Sequence, residues 1–257
     1  MYTEKSFSVK PREVVERDLK EAEQMGPRYR RIFLYDGDAL ILSTRRLLEI
    51  LGAIRERLPW VERVSCYGDT RSVLKKSSEE LLALKEAGLG MVYHGVESGS
   101  DAVLERIVKG GTRREVIETA ERLRGAGIQH SVILLLGIGG TDLSEKHAEE
   151  TASLLTEIDP PYVGVLTTTV IPGTPLHVDE KEGKFSLPGK FQMLRELRTI
   201  VRDSQLSNCR FSSNHASNYL PMRSTLPGDQ SAILEALDHV LHAEDERMLK
   251  PEYLRGL

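Results

Sequence analysis

Cysteine is nearly missing from this chain: there are two, Cys66 and Cys209, far apart and each without a neighbour at metal-ligand spacing. That count excludes a disulfide framework and a zinc site built on cysteines, and a lone cysteine in an apolar stretch reads as a small buried hydrophobe. Long apolar runs are missing too. The longest, Val132–Leu136 with Ile138 beyond it, falls far short of the ~20 residues that cross a bilayer, and the polar N-terminus has no signal-peptide core. Neither sign of charge is in excess: Lys+Arg 35 against Asp+Glu 39 gives a net charge of −4, dispersed along the chain, which gives no basic platform for nucleic acid. A soluble, cytoplasmic protein without a membrane partner is expected.

What is present is ordinary globular composition. Hydrophobic residues make up 40% and charged residues 29% of 257 residues, which excludes disorder and collagen-like repeats and allows one large domain or two small ones. No linker rich in Pro, Gly or Ser divides the chain, and Ile171–Gly189 is the only long irregular stretch expected. We therefore expect a single domain over 1–257, with a core of about residues 7–213 and a C-terminal extension of about 214–257.

Runs rich in Val, Ile, Leu and Tyr predict strands at Arg31–Tyr35, Arg63–Tyr67, Met91–Val96, Gln129–Leu136 and Tyr162–Val170, with a weaker one at Asn208–Ser212. Helical periodicity falls between them, at Arg12–Gln24, Thr44–Leu58, Ser78–Ala87, Thr112–Ala126, Asp142–Glu157, Lys190–Ser204 and Asp229–Ala243. Ser77-x-x-Glu80 and Thr112-x-x-Glu115 have the spacing of a capping box, and Gly88 and Gly127 are stops. Strand starts recur every 30 to 45 residues or so, the length of a strand–helix crossover unit. Several strands are almost continuously apolar, so both sheet faces should be covered. The fold class is α/β, either an open doubly wound sheet or a curved (β/α) barrel; with about six strands it is short of a full barrel.

In such folds ligands bind at the carboxyl ends of the strands. The first ends in Asp36-Gly37-Asp38, two carboxylates suited to an ammonium group or a metal. The second ends in Ser65-Cys66-Tyr67-Gly68-Asp69, hydroxyls able to bond a sugar, with Tyr67 able to stack. The third places Glu97 between Gly95 and Gly99. The fourth ends in Gly137-Ile138-Gly139-Gly140, and the fifth runs through Thr167-Thr168-Thr169 into Pro172-Gly173. Each alone is a common turn sequence; five in succession on one edge point to a site. None is a phosphate loop or a dinucleotide fingerprint.

Taken in order, these tips resemble the radical S-adenosylmethionine (radical SAM) superfamily, over about Phe7 to Asp229. Phe33-Leu34-Tyr35-Asp36-Gly37-Asp38-Ala39-Leu40 resembles that family's Gly-Gly-Glu segment in an Asp-Gly-Asp variant, which implies that it holds the methionine amino group of SAM. Tyr93-His94-Gly95-Val96-Glu97-Ser98-Gly99-Ser100-Asp101, with Leu104 and Lys109-Gly110, is similar to the fourth-strand region. The resemblance implies that Glu97 contacts the ribose or methionine part and that Lys109 pairs with the methionine carboxylate. Leu136-Gly137-Ile138-Gly139-Gly140 resembles the turn beside adenine, and Ile171-Pro172-Gly173-Thr174-Pro175-Leu176 the segment after the sixth strand. His215-Ala216-Ser217-Asn218-Tyr219-Leu220-Pro221 matches a late block in one subgroup. The implied fold is a partial (β/α)6 TIM-like barrel lacking its first strand. The implied cofactor contacts are Asp36, Gly37, Asp38, Ser65, Tyr67, Glu97, Ser98, Lys109, Gly137 and Ile138, with no catalytic residue or metal ligand assigned.

The resemblance stops at the cluster. Family members carry Cys-x3-Cys-x2-Cys for a [4Fe-4S] cluster, and this sequence has no such triad. Residues 1–10 correspond to the tail of that loop, so either the recorded start is an internal Met of a longer enzyme, the explanation favoured, or the chain is a clusterless relative. The function implied is generation of a 5′-deoxyadenosyl radical from SAM with a [4Fe-4S] cluster, using a reductant such as ferredoxin or flavodoxin. Two alternatives stand beside it: a clusterless nucleotide-binding or scaffolding pseudoenzyme, and a non-radical acid–base lyase using Lys109, Glu97 or His215. Loss of a first strand leaves Ile32–Tyr35 as an apolar edge, which predicts a dimer or aggregate.

Overall fold

The computed structural model describes residues 8–256. The assignment of residues 1–7 to the tail of a cluster loop lies outside them. In chain order the elements are α1 (Arg12–Gln24), β1 (Arg31–Asp38), α2 (Thr44–Arg57), β2 (Arg63–Tyr67), α3 (Thr70–Leu74), α4 (Ser78–Glu86), β3 (Leu89–Glu97), α5 (Asp101–Arg106), α6 (Arg113–Gly125), β4 (Gln129–Leu136), α7 (Gly140–Ile158), β5 (Tyr162–Thr167), α8 (Pro175–Lys181), α9 (Lys190–Asp203), β6 (Cys209–Ser212), β7 (Arg223–Leu226) and α10 (Gln230–Ala243). The strands form a mostly parallel seven-stranded α/β sheet in chain order, with β1 and β7 at its ends, so the sheet is not closed. No helix among the described residues is long and apolar enough to cross a membrane.

Local signals set the boundaries. Ser77 accepts the Glu80 N–H while Glu80 accepts the Ser77 N–H, and Thr112 and Glu115 exchange the same two bonds, so both capping boxes form. Pro11 precedes α1, and Gly26, at φ +67°, follows it. Three expectations are corrected. Arg223–Leu226 is a seventh strand, antiparallel to β6; its polar tetrapeptide gives no apolar run to detect. The stretch Ile171–Gly189, expected to be irregular, contains α8, started by Pro175 after the Thr174 cap. The strands are not fully buried on both faces: in β5 buried Val163, Val165 and Thr167 alternate with half-buried neighbours.

The chain divides into two compact units, and each has its own core. The first comprises residues up to His94 together with Glu121–His130; Leu47, Leu51 and Ile54 of α2 pack there with Val64, Cys66 and Val92 of β2 and β3. The second comprises Gly95–Ala120 and Ser131–Leu257; its core joins Val132, Leu134 and Leu136 of β4 to Val163 and Val165 of β5 and Leu197, Ile200 and Val201 of α9.

Candidate functional site

In the first unit the tip of β1 is shaped by two left-handed residues, Asp36 at φ +76° and Gly37 at φ +106°. They break the register with β2 after Leu34, so that Asp38 returns opposite Tyr67. Asp38 Oδ1 accepts the Leu40 N–H at 2.9 Å and Oδ2 accepts the Asp69 N–H at 3.3 Å, which ties the ends of β1 and β2 together. Burial, with the charge of Asp69, raises the Asp38 carboxyl above its ordinary range against the bonds it accepts. Asp69 in turn caps α3, accepting the Ser72 N–H at 2.6 Å. Asp36 is exposed and 3.8 Å from Lys10 Nζ. Ser65 is buried, opposite Phe33.

Tyr67 joins an aromatic cluster with Phe33, Tyr35 and Tyr93, ring centroids 4.8–6.4 Å apart and mostly edge-on. Sequence reasoning missed this cluster, although the alternation Phe33, Tyr35 and the paired Tyr67 and Tyr93 carry its signal. An apolar cavity of about 350 Å³ lies beside β1, lined by Leu19, Ile32, Leu34, Ile50 and Ile54 and rimmed by Asp38.

In the second unit β3 ends at Glu97, which takes a left-handed conformation at φ +66°. Its carboxylate accepts from Lys109 Nζ at 2.7 Å, with the side chains 16% and 29% exposed. Gly95 leaves room beside this pair: a Cβ there would lie 2.6 Å from Glu97 Oε1 and 3.2 Å from Lys109 Nζ. Ser98, beside Glu97, is fully buried and its Oγ is 2.8 Å from His147 Nδ1 of α7. Gly99 lies flat against α7, its N–H donated to Thr151 Oγ1 at 2.9 Å, where a Cβ would meet the Glu150 carbonyl at 2.4 Å.

The end of β4 is held from α9. Gly137, at φ +80°, donates its N–H to Glu196 Oε2 at 2.7 Å, and Ser144 Oγ donates to Glu196 Oε1 at 2.6 Å. Burial pushes the Glu196 carboxyl up to about 7, and the same cause takes the His147 imidazole down to about 4. Arg106 grips the next turn, donating to the Gly139 carbonyl at 2.8 Å and to both oxygens of Asp142. Ile138 is buried beside this turn. Sequence reasoning passed over Glu196. The signal was its spacing from Met193, Leu197 and Ile200, which puts an acid on an apolar helix stripe.

The late block stitches the end of β5. His215 Nδ1 is 2.9 Å from Ser217 Oγ, which accepts the Thr167 N–H at 3.0 Å, and Asn218 Nδ2 donates to the Val165 carbonyl at 2.7 Å. Thus Glu97, Ser98, Lys109, Gly137 and Ile138 belong to one unit, and Asp36, Gly37, Asp38, Ser65 and Tyr67 to the other.

The chain is similar to the heme chaperone HemW of Bacillus subtilis, 28% identical over 167 residues that cover 65% of this chain and 44% of HemW. It is also similar to the tRNA-2-methylthio-N(6)-dimethylallyladenosine synthase of Geobacter sulfurreducens, 36% identical over 122 residues, 46% of this chain and 27% of that protein. The chain thus spans less than half the length of these relatives. The structure of Elp3 from Methanocaldococcus infernus superposes with a TM-score of 0.58 at 14% identity, over 90% of this chain and 58% of that one, which shows the fold. The model of the Radical SAM superfamily matches residues 2–155, the stretch that carries the tips of β1, β2, β3 and β4, and this chain belongs to that superfamily.

Proposed function

We propose that the chain binds S-adenosylmethionine at the ends of its strands and serves one-electron cleavage of the sulfonium. The observation that carries the reading is the end of β3, where a left-handed acid and a lysine form a largely buried ion pair over a glycine that leaves room for them. Non-glycine residues held in the left-handed region cluster at ligand and active sites. Glu97 accepts hydrogen bonds from the ribose hydroxyls. Lys109 keeps two N–H donors beyond its bond to Glu97, and these hold the methionine carboxylate. Gly137 and Ile138 offer backbone and apolar contact to adenine, with Ser98 fixing the strand end behind Glu97. For the first unit the family resemblance implies contact of Asp36, Gly37 and Asp38 with the ammonium and of Ser65 and Tyr67 with the sugar. Asp38 itself is tied to the Leu40 and Asp69 N–H groups and to the Ser72 side chain, which fixes its carboxylate at the strand end.

The described residues fit SAM but not an iron–sulfur cluster. Burial pushes both thiols, Cys66 and Cys209, up to about 12, and among the described residues no three His, Cys, Asp or Glu side chains are grouped to share a metal. A cluster would supply the electron that breaks the sulfonium bond, on thiolates other than these, and a ferredoxin- or flavodoxin-type reductant would act through it. The relatives are named for unlike molecules, heme and a tRNA nucleoside, so the proposal stops at SAM.

Isothermal titration of the chain with SAM tests it. Wild type should bind, and Glu97→Ala and Lys109→Ala should each weaken binding about tenfold, the scale of one charge-assisted hydrogen bond. Unchanged affinity in both variants contradicts the assignment.

A further inference from the structure

Glu196 lies on the apolar stripe of α9 with Met193, Leu197 and Ile200, where a leucine would pack. It is 2% exposed. A carboxylate buried this far is costly unless its oxygens are bonded, and both are: Oε2 accepts from Gly137 N–H and Oε1 from Ser144 Oγ. Gly137 is the first residue after β4, in a left-handed conformation, and a Cβ on it would lie 2.8 Å from Met193 Cε. One face of α9 therefore holds the turn by its amide and by contact. The second observation is at His147. Its Nε2 stands 4.0 Å from Glu196 Oε2 with no partner in hydrogen-bond geometry, although the Leu135 carbonyl faces the ring, while Nδ1 is bonded to Ser98 Oγ. Ser98, His147, Glu196 and Gly137 thus form one buried file, from the residue after Glu97 to the residue that opens the Gly137–Gly140 turn.

We propose that Glu196 is a positioning residue, which with Ser144 holds the Gly137–Gly140 turn in the shape required by bound SAM. The inference rests on the SAM reading above and adds a residue that touches no ligand. The Gly137 amide has no strand partner to direct it; the carboxylate supplies the direction. A glutamine would preserve the arrangement, since its carbonyl accepts from Gly137 and its amide donates to the hydroxyl of Ser144, which both donates and accepts. Aspartate keeps the charge but draws it back by one methylene, out of reach of the turn. The raised Glu196 carboxyl agrees with a site that tolerates a neutral group.

The test uses the full chain and four forms, wild type, Glu196→Gln, Glu196→Asp and Glu196→Ala, at a temperature well below their unfolding. Two quantities are read: SAM affinity by titration, and amide hydrogen exchange of Gly137–Gly140 without ligand. The expected result is Glu196→Gln within about threefold of wild type in both. Glu196→Asp and Glu196→Ala should bind SAM about tenfold more weakly or worse, as for one lost hydrogen bond to a charged group, and exchange the turn amides about tenfold faster, with β5 unchanged. Should Glu196→Ala not fold, the contrast between Asp and Gln decides. Wild-type SAM affinity in Glu196→Asp and Glu196→Ala overturns the positioning role and leaves the SAM reading standing. Absence of SAM binding by wild type sinks that reading, and this inference with it.

Discussion

Three buried titratable side chains set how this molecule answers to acid. Burial holds His147 at about 4, and burial with the nearby charge of Arg124 holds His130 there too, against an ordinary 6.5. The unfolded chain takes up these protons first, so the stability that the neutral rings confer is complete above about 6.5 and is lost as pH falls toward 4. Between pH 7 and 5 each costs about 2 kcal/mol. Glu196 has the opposite sign. Its folded value of about 7 stands above 4.5, so the folded state takes up the proton and gains about 2 kcal/mol over the same interval. Urea unfolding at the two pH values should show wild type losing about 2 kcal/mol and Glu196→Gln about 4 kcal/mol. Equal losses in the two proteins contradict the raised carboxyl. At this scale Glu97 was singled out in the sequence as an acid between Gly95 and Gly99 at a strand end, and Lys109 only through the family resemblance; the structure pairs the two. Glu196 was not, since one acid in an amphipathic helix looks like any exposed residue until its spacing is counted.

Among the elements, β1 is the apolar edge of the sheet. It pairs with β2 alone among the described residues, its Ile32, Phe33 and Leu34 are half-buried, and Tyr35 is 74% exposed. An edge with unpaired amides and apolar side chains invites a second strand. Light scattering over a concentration series should give a mass above that of the monomer, and Tyr35→Lys should lower it at a small cost in Tm, since Tyr35 is 74% exposed and gives up only its ring contacts with Phe33 and Tyr67. A monodisperse wild-type monomer throughout the series is the contrary result. The strands with long apolar runs, such as β4 with Val132–Leu136, were plain in the sequence because tertiary burial and local pattern agree there. The short polar β7 and the single-turn helices α3, α5 and α8 were not: four to seven residues are too few for a period to emerge, and tertiary contact decides them.

At the scale of the molecule, superfamily membership and the open, mostly parallel sheet are shown, and in parallel α/β sheets ligands bind at the carboxyl ends of the strands. The α/β class followed from strands recurring at crossover intervals, while the division into two compact units did not, because no compositional break marks it. The central claim is that these strand ends bind SAM, and hydrogen exchange of the whole chain with and without SAM tests it most directly. The account predicts slowed exchange in the segments Tyr35–Leu40, Gly95–Ser100 and Gly137–Gly140, with helices α4 and α10 unchanged. Identical exchange in those three segments at saturating SAM would contradict it.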